Sequence, residues 1–144
     1  MRKLLLVLFL TSLSYSPVKS AEQDVKNRQN AMQQVREAVK VLFPMVKGKT
    51  EYDDFVVISM LEQMLDAVKP YASYFPEEQE VGVTSEAAET IWTDRVGFEK
   101  GLKKFMADIS ATLSAEPETL EKFNPLFAKV TSNCKSCHQV YRMK

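Results

Sequence analysis

The sequence predicts an all-α protein folded as an antiparallel up-down-up-down four-helix bundle. Apolar residues recur at steps of three and four in four separate segments, which is the spacing of one face of a helix. The chain has 144 residues and only four glycines, which argues against a turn-rich β-sandwich. Short connections join the first segment to the second and the third to the fourth, and they favour antiparallel neighbours.

The first twenty residues have the pattern of an export signal. Arg2 and Lys3 precede an apolar run at residues 4–13, and small residues follow before Ala21. We therefore interpret residues 1–20 as a signal peptide that is cleaved directly before Ala21. An uncleaved membrane anchor is disfavoured, because ten apolar helical residues cover about 15 Å, half of a bilayer core.

The remaining segment, residues 21–144, is expected to form a single, mildly acidic domain in the periplasm. The whole chain balances 19 basic against 19 acidic residues, so it has no strongly basic nucleic-acid-binding character. Residues 1–20 contain three basic residues and no acidic one, and their removal leaves the domain with a net charge of about −3. An acidic surface favours a partner with a basic patch.

The first two helices are predicted on either side of a polar turn. The segment "KGKTEYD" at 47–53 interrupts the periodicity, with Gly48 as a helix terminator and Asp53 as a cap for the next helix. The apolar positions of the first helix are Val25, Met32, Val35, Val39, Leu42 and Val46. Those of the second are Ile58, Leu61, Leu65, Val68 and Ala72.

A loop at residues 75–84, opened by Pro76, separates the second helix from the third. The third helix is predicted to begin near Ser85, where a capping residue precedes acidic residues of a first turn. Pro117 suits the first turn of the fourth helix, and Pro125 predicts a bend or break within it. The third helix carries Ile91, Arg95, Phe98, Leu102, Phe105, Ile109 and Thr112 on one face.

The fourth helix carries both cysteines of the chain on its apolar face. That face consists of Leu120, Phe123, Phe127, Val130, Cys134, Cys137 and Tyr141. The alternating steps of three and four are those of a helix-bundle core position. The cysteines are therefore expected to face the other helices.

The motif "CKSCH" groups Cys134, Cys137 and the only histidine, His138. A structural zinc site needs four strong ligands, and these three residues would require a carboxylate or a second chain. A thioredoxin-like redox pair belongs in a βαβ setting at a helix N-terminus, whereas this pair lies late in a helix. A disulfide across three residues would close a short loop and stabilise little.

Covalent attachment of haem uses all three residues of the motif. In Cys-x-x-Cys-His, each thiol adds to one vinyl group of the porphyrin and the histidine becomes the proximal iron ligand. Export of the chain agrees with this interpretation, which the sequence favours over a zinc site or a redox pair.

A haem motif on the last helix of such a bundle resembles the class II cytochromes c, which comprise cytochrome c′ and its low-spin relatives. The resemblance covers essentially all of 21–144. It includes "RQNAM" at 28–32, the 47–53 turn, "IWTDRVGF" at 91–98 and "CKSCHQVYR" at 134–142.

The resemblance implies one haem c, attached through Cys134 and Cys137 with His138 as the proximal ligand. It also implies that Arg28 and Gln29 contact the haem edge and its propionates. Arg142 matches a basic residue beside the proximal imidazole. Trp92, Phe98, Phe105 and Tyr141 are expected to be core or haem-packing residues.

Met32 is the expected distal residue, facing the iron from the first helix. Antiparallel packing brings the start of the first helix to the level of the end of the fourth. Met45 lies thirteen residues further on, roughly 20 Å along a helix, and is excluded. Met64 and Met106 are weaker rivals. In the family that the chain resembles, methionine at this position is either a ligand of low-spin iron or a cover over an open site. The 47–53 turn and "YRMK" resemble the low-spin branch and favour ligation, whereas "RQNAM" resembles cytochrome c′.

The expected function is one-electron transfer between redox proteins in the periplasm. Nothing in the sequence arranges a nucleophile or an acid–base pair for a substrate, so an enzyme is not predicted. The alternative is a five-coordinate, high-spin cytochrome c′ that binds NO or CO. A non-haem metal-binding bundle is the third possibility, and a homodimer is compatible with the resemblance.

Overall fold

The computed structural model describes residues 17–79 and 82–143, with side chains from Ala21 onward. Four long helices form the bundle, and the described residues contain no β-strand, so the all-α prediction is confirmed. The elements are α1 (Pro17–Val46), α2 (Asp54–Val68), a 3₁₀ turn (Tyr71–Tyr74), α3 (Thr90–Thr93), α4 (Arg95–Ser114) and α5 (Leu120–Tyr141). None of the described helices has the length and apolarity to cross a bilayer.

The predicted signal peptide lies mostly outside the described residues. Of residues 1–20, the structure describes the backbone of 17–20, which forms the first turn of α1. The cleavage site before Ala21 therefore stays a prediction.

The turn between α1 and α2 is formed as predicted. Gly48 adopts a positive φ of 65°, a left-handed conformation that glycine reaches without steric cost. The Asp53 carboxylate accepts a hydrogen bond from the Val56 amide at 3.0 Å and caps α2. Helix α2 ends at Val68, earlier than its apolar pattern suggested, because Pro70 has no amide hydrogen with which to continue the helical hydrogen bonds.

The third helix does not begin near Ser85, so that prediction is wrong. Residues 85–88 are not helical, since Ala87 forms an isolated antiparallel bridge with Arg142. Helix α3 then spans only Thr90–Thr93. The Asp94 side chain accepts from the Gly97 amide at 3.1 Å and starts α4 as a separate helix.

The prediction about Pro117 is also wrong, and of the bend or break predicted at Pro125 the break is absent, while a bend stays a prediction. Pro117 lies before the fourth helix rather than in its first turn, because Thr119 caps α5 by accepting from the Lys122 amide. The carbonyl of Pro117 accepts a hydrogen bond from the Tyr52 hydroxyl, which ties the two loops together. Pro125 does not break α5, whose helical residues continue through it to Tyr141.

The core is divided into two clusters of buried side chains. The larger one, between α1, α2, α4 and α5, includes Leu42, Leu61, Ile109 and Phe123, each fully buried. The smaller one consists of Phe75, Ile91, Phe98 and Leu102. Of the seven site residues predicted from the sequence, none is a buried member of either cluster, and Met32 packs against the larger one.

The larger cluster should provide most of the stability of the fold. Phe123 has no exposed surface and its ring stacks on Phe127 with centroids 5.0 Å apart. Phe123→Ala should therefore lower the free energy of unfolding by about 3–5 kcal/mol, measured by chemical denaturation. Phe55→Ala is the matched control. Since Phe55 is 84% exposed, its loss should change that free energy by no more than about 0.5 kcal/mol.

Candidate functional site

Helix α1, from Val25 to Pro44, and the last turns of α5 line one cavity of about 750 Å³. This volume lies in the range of about 300–1,000 Å³ that is usual for small-molecule and cofactor sites. All seven residues predicted for the site line the cavity: Arg28, Gln29, Met32, Cys134, Cys137, His138 and Arg142. The fold thus brings the seven residues together around one cavity, and their roles stay predictions.

The two thiols and the imidazole lie within about one turn of α5. Cys134 and Cys137 are free and half-buried. Burial raises the pKa of both thiols, and the neighbouring Cys134 adds to the increase at Cys137. Partial burial and the charge of Arg142 lower the pKa of His138, against a smaller opposing effect of Glu86. At neutral pH the motif therefore presents two protonated thiols and a neutral imidazole.

Met32 is the only methionine among the described residues that lines the cavity. It is half-buried and comes from α1, on a different helix from His138. The other described methionines, Met45, Met60, Met64, Met106 and Met143, do not line it. Met64 is fully buried in the larger core cluster. The structure thus agrees with the choice of Met32 over its rivals.

Aromatic rings extend from Arg28 on α1 to Tyr141 on α5 along one side of the cavity. The Arg28 guanidinium carbon lies 4.4 Å from the centroid of Phe75, and that ring meets Phe98 edge-on at 4.9 Å. Phe98 in turn meets Tyr141 at 5.4 Å. Arg28 is only 5% exposed, so the stacking holds a buried positive charge at the cavity.

Phe75 was not predicted as a site residue. It lies in the loop after the 3₁₀ turn, where no periodicity marks it, and it is 4% exposed. Its position is fixed by Arg95, which donates to the carbonyls of Phe75 at 3.1 Å and Ala72 at 3.2 Å. Arg95 is the polar residue in the apolar pattern of the third predicted helix, and these bonds explain its presence there.

Tyr71 is a second site residue that the sequence did not reveal. It lines the cavity beside Phe75, with ring centroids 5.4 Å apart. Burial raises the pKa of Tyr71 to about 12. The phenol is therefore neutral at physiological pH and can donate a hydrogen bond toward the cavity.

Asn133 is the third residue that the sequence did not reveal, and it directly precedes Cys134. It is 6% exposed and lines the cavity. Its amide donates to Asp108 on α4 at 2.7 Å and to the carbonyl of Lys129 at 2.9 Å. The start of the cysteine motif is thereby tied to α4.

Of the aromatic residues predicted to pack on a cofactor, three line the cavity and one does not. Phe98, Phe105 and Tyr141 are lining residues. Trp92 lies behind Phe75, with ring centroids 6.1 Å apart, and its indole donates to the carbonyl of Pro76. It supports the site from outside.

The residues present fit a covalently held haem. The cavity offers mostly apolar side chains, two thiols one helical turn apart and an imidazole beside them. Gly101 on α4 also lines it, and a Cβ added there would meet no heavy atom within 4 Å, so a flat ligand can approach the backbone. A zinc site has no comparable support. In the described part of the chain, no three side chains of His, Cys, Asp or Glu are arranged so that they could hold a metal ion.

Comparisons with known proteins agree with this fit. The family model described as cytochrome c′ matches residues 23–142. Cytochrome c′ of Rhodopseudomonas palustris is 31% identical over 86% of this chain and 85% of its own length. Cytochrome c-556 of Agrobacterium fabrum is 27% identical over 86% and 84%. A nitric oxide complex of a cytochrome c′ variant from Alcaligenes xylosoxidans superimposes with a TM-score of 0.77, at 27% identity over 86% of this chain and 97% of its own.

The tie between Asn133 and Asp108 should make stability depend on pH. Hydrogen bonds from Lys104 and then from Asn133 lower the pKa of Asp108. Its contribution is therefore complete above the unfolded-state pKa of about 3.9 and is lost as the pH falls through the folded-state value. Asp108→Asn should lower the free energy of unfolding by about 1 kcal/mol at pH 6. The difference from wild type should shrink toward pH 3 and below.

Asp66→Asn is the matched control for this titration. The Asp66 side chain is 73% exposed and pairs with Lys69 on its own helix. Its replacement should leave the slope of unfolding free energy against pH as in the wild type. Equal slopes for Asp108→Asn and wild type would contradict the predicted role of Asp108.

Proposed function

Because the chain belongs to the cytochrome c′ family and its cofactor is covalently attached haem c, we propose that it is a periplasmic one-electron carrier whose iron is ligated by His138 and Met32. The observation that carries this proposal is the placement of Met32 and His138 on different helices along one cavity. Bound haem supplies an iron that alternates between the ferrous and ferric states.

Cys134 and Cys137 are proposed to hold the porphyrin. Each thiol adds its sulfur to one carbon of a vinyl group and its proton to the other, so a thioether forms without net oxidation. The raised thiol pKa values support this role, because protonated cysteines resist metal capture and oxidation before attachment. Their separation by one helical turn gives both sulfurs access to the same cavity.

His138 is proposed to bind the iron from the proximal side. Its lowered pKa favours the neutral imidazole, the only form with a free nitrogen lone pair. Met32 is proposed to approach from the distal side with a thioether, which is neutral and raises the reduction potential. The two ligands change no protonation state during electron transfer, and the apolar lining limits access of water.

Arg28, Gln29 and Arg142 are proposed to contact the edge of the cofactor. The buried guanidinium of Arg28 is suited to bind a propionate carboxylate, because a charge-assisted hydrogen bond is strong away from water. The Arg142 side chain is 47% exposed and pairs with Glu86 at 2.6 Å. Solvent screens the charge of Arg142, so its electrostatic influence on the haem is weaker than that of the buried Arg28.

Export to the periplasm is proposed from the segment 1–20 and from the attachment motif. The partners are proposed to be redox proteins that meet the accessible edge of the haem briefly. Residues that line the cavity include Arg36 and Lys40, both exposed on α1. The exposed edge of the cavity at Arg36 and Lys40 is therefore basic, although residues 21–144 are acidic overall. An acidic docking surface on the partner suits this edge better than the basic surface expected from the net charge.

A second candidate function is the binding of NO or CO by five-coordinate iron. The supporting observation is the similarity to the Alcaligenes xylosoxidans cytochrome c′ variant that was solved in complex with nitric oxide. In this case Met32 covers the distal side without bonding to the iron. A small diatomic molecule would then displace the thioether side chain and bind where it stood.

Covalent attachment is tested by intact mass. Protein exported from a host that matures c-type cytochromes should carry the mass of one haem that denaturation does not remove. Cys134→Ser and Cys137→Ser should each retain a haem through a single thioether, and the double variant should lose it on denaturation. A bare polypeptide mass for the unsubstituted protein would overturn the proposed function.

Axial ligation is tested by absorption spectra of ferric and ferrous Met32→Leu. The unsubstituted protein should be low-spin and should not respond to CO, because the thioether occupies the sixth position. Met32→Leu should be high-spin, bind CO and have a lower reduction potential. Met106→Leu is the matched control, since Met106 is also half-buried but does not line the cavity. A high-spin, CO-binding unsubstituted protein would favour the second function.

A further inference from the structure

His138 lies in the last turn of α5, and helix ends fray more readily than helix centres. The helix ends at Tyr141. The last four carbonyls of any helix lack partners within the helix, and helix ends open more readily than helix centres. An iron ligand in this turn would follow its motion unless other groups hold the backbone in place.

The segment 86–90 supplies those groups. The Ala88 amide donates to the carbonyl of Tyr141 at 3.1 Å, and the Thr90 hydroxyl donates to the carbonyl of Val140. The Met143 amide donates back to the carbonyl of Glu86 at 2.8 Å. Two carbonyls of the last turn thus find partners outside α5, and the chain beyond it is paired as well.

Asp94 adds a side-chain bond to the same turn. The Tyr141 hydroxyl donates to one carboxylate oxygen of Asp94 at 2.7 Å, while the other oxygen accepts from the Gly97 amide. A Cβ on residue 97 would lie 2.2 Å from the Asp94 carboxylate and 2.6 Å from the Tyr141 hydroxyl. Glycine at this position is therefore required for Asp94 to cap α4 and hold Tyr141 at once.

The ion pair between Arg142 and Glu86 completes the contacts, but it is not their main source of strength. Its side chains are 47% and 73% exposed. Exposed pairs of this kind contribute about 0–1 kcal/mol, because solvent screens the charges. The backbone and hydroxyl bonds at Val140 and Tyr141 are better placed to restrain the turn.

We propose that residues 86–94 form a clasp that fixes the turn carrying His138, with Thr90 and Asp94 as positioning residues for iron ligation. This inference deepens the proposed function and depends on it, since His138 must be the proximal ligand. The clasp keeps the imidazole at one distance and orientation in both oxidation states. A fixed ligand needs little rearrangement when the electron arrives or leaves.

The test compares haem-loaded variants of the full chain. Thr90→Val and Tyr141→Phe each remove one hydroxyl bond of the clasp. Loss of one hydrogen bond worth about 0.5–1.5 kcal/mol should speed hydrogen exchange in residues 138–143 by about 2- to 10-fold. The electron paramagnetic resonance spectrum of the ferric iron should gain a second component, because the imidazole then samples more than one orientation.

Two controls separate this role from general destabilisation. Thr90→Ser keeps the hydroxyl and should restore both the exchange rates and the single-component spectrum. Tyr52→Phe also loses one hydroxyl bond, to the carbonyl of Pro117, but neither residue lines the cavity. It should leave the exchange of residues 138–143 and the iron spectrum unchanged.

The possible failures can be told apart. Unchanged hydrogen exchange of residues 138–143 in Thr90→Val and Tyr141→Phe would overturn the proposed clasp. Faster exchange with an unaltered iron spectrum would also overturn it, because the contacts would then stabilise the helix end without positioning His138. In both cases haem-loaded protein with its expected mass leaves the proposed function standing. An unsubstituted protein without haem would overturn the proposed function and the clasp's role in ligation together.

Discussion

The packing of α5 against α4 is the constraint on which the rest of the structure depends. Helix α5 packs extensively on α4 and only slightly on α1. Two polar ties fix this pairing on either side of the cysteine motif, from Asn133 to Asp108 and from Tyr141 to Asp94. Both ties end on α4, so that helix sets the position of the thiols and the imidazole, and the face of α5 toward α1 remains available to a ligand.

The opposite wall of the cavity is positioned independently of α5. Helix α1 packs mainly on α2, through side chains such as Ala38 and Leu42 that have no exposed surface. Met32 and His138 are therefore held by two different helix pairs. A ligand between them would contact two rigid helix pairs rather than one flexible segment. A packed bundle can in this way hold the two proposed iron ligands in reproducible positions.

The sequence predicted the long helices, Cys134, Cys137 and His138 from local patterns, whereas the other four lining residues followed from the resemblance to the class II cytochromes c. Periodicity marked the core positions, and the Cys-x-x-Cys-His spacing marked the cofactor. The missed residues lack such patterns. Phe75 lies in a loop, and Asn133 looked like a polar residue beside a motif. The wrong prediction of a helix start at Ser85 has the same origin. The sequence there favours a helix cap, but Ala87 instead pairs through its backbone with Arg142, a residue far away in the sequence.

The two candidate functions differ in whether the Met32 thioether would lie within bonding distance of the iron. A thioether bonds to iron only at bonding distance, and the distance from Met32 to the iron is set by the placement of α1. That placement depends on the packing of α1 on α2, and the buried side chains of α1 include Ala38 and Leu42, neither of which lines the cavity. Substitutions in this interface could therefore shift a protein between carrying electrons and binding gases while every lining residue stays the same. A methionine at position 32 is required for the proposed thioether ligation, and the packing of α1 on α2 sets where that side chain lies relative to the cavity.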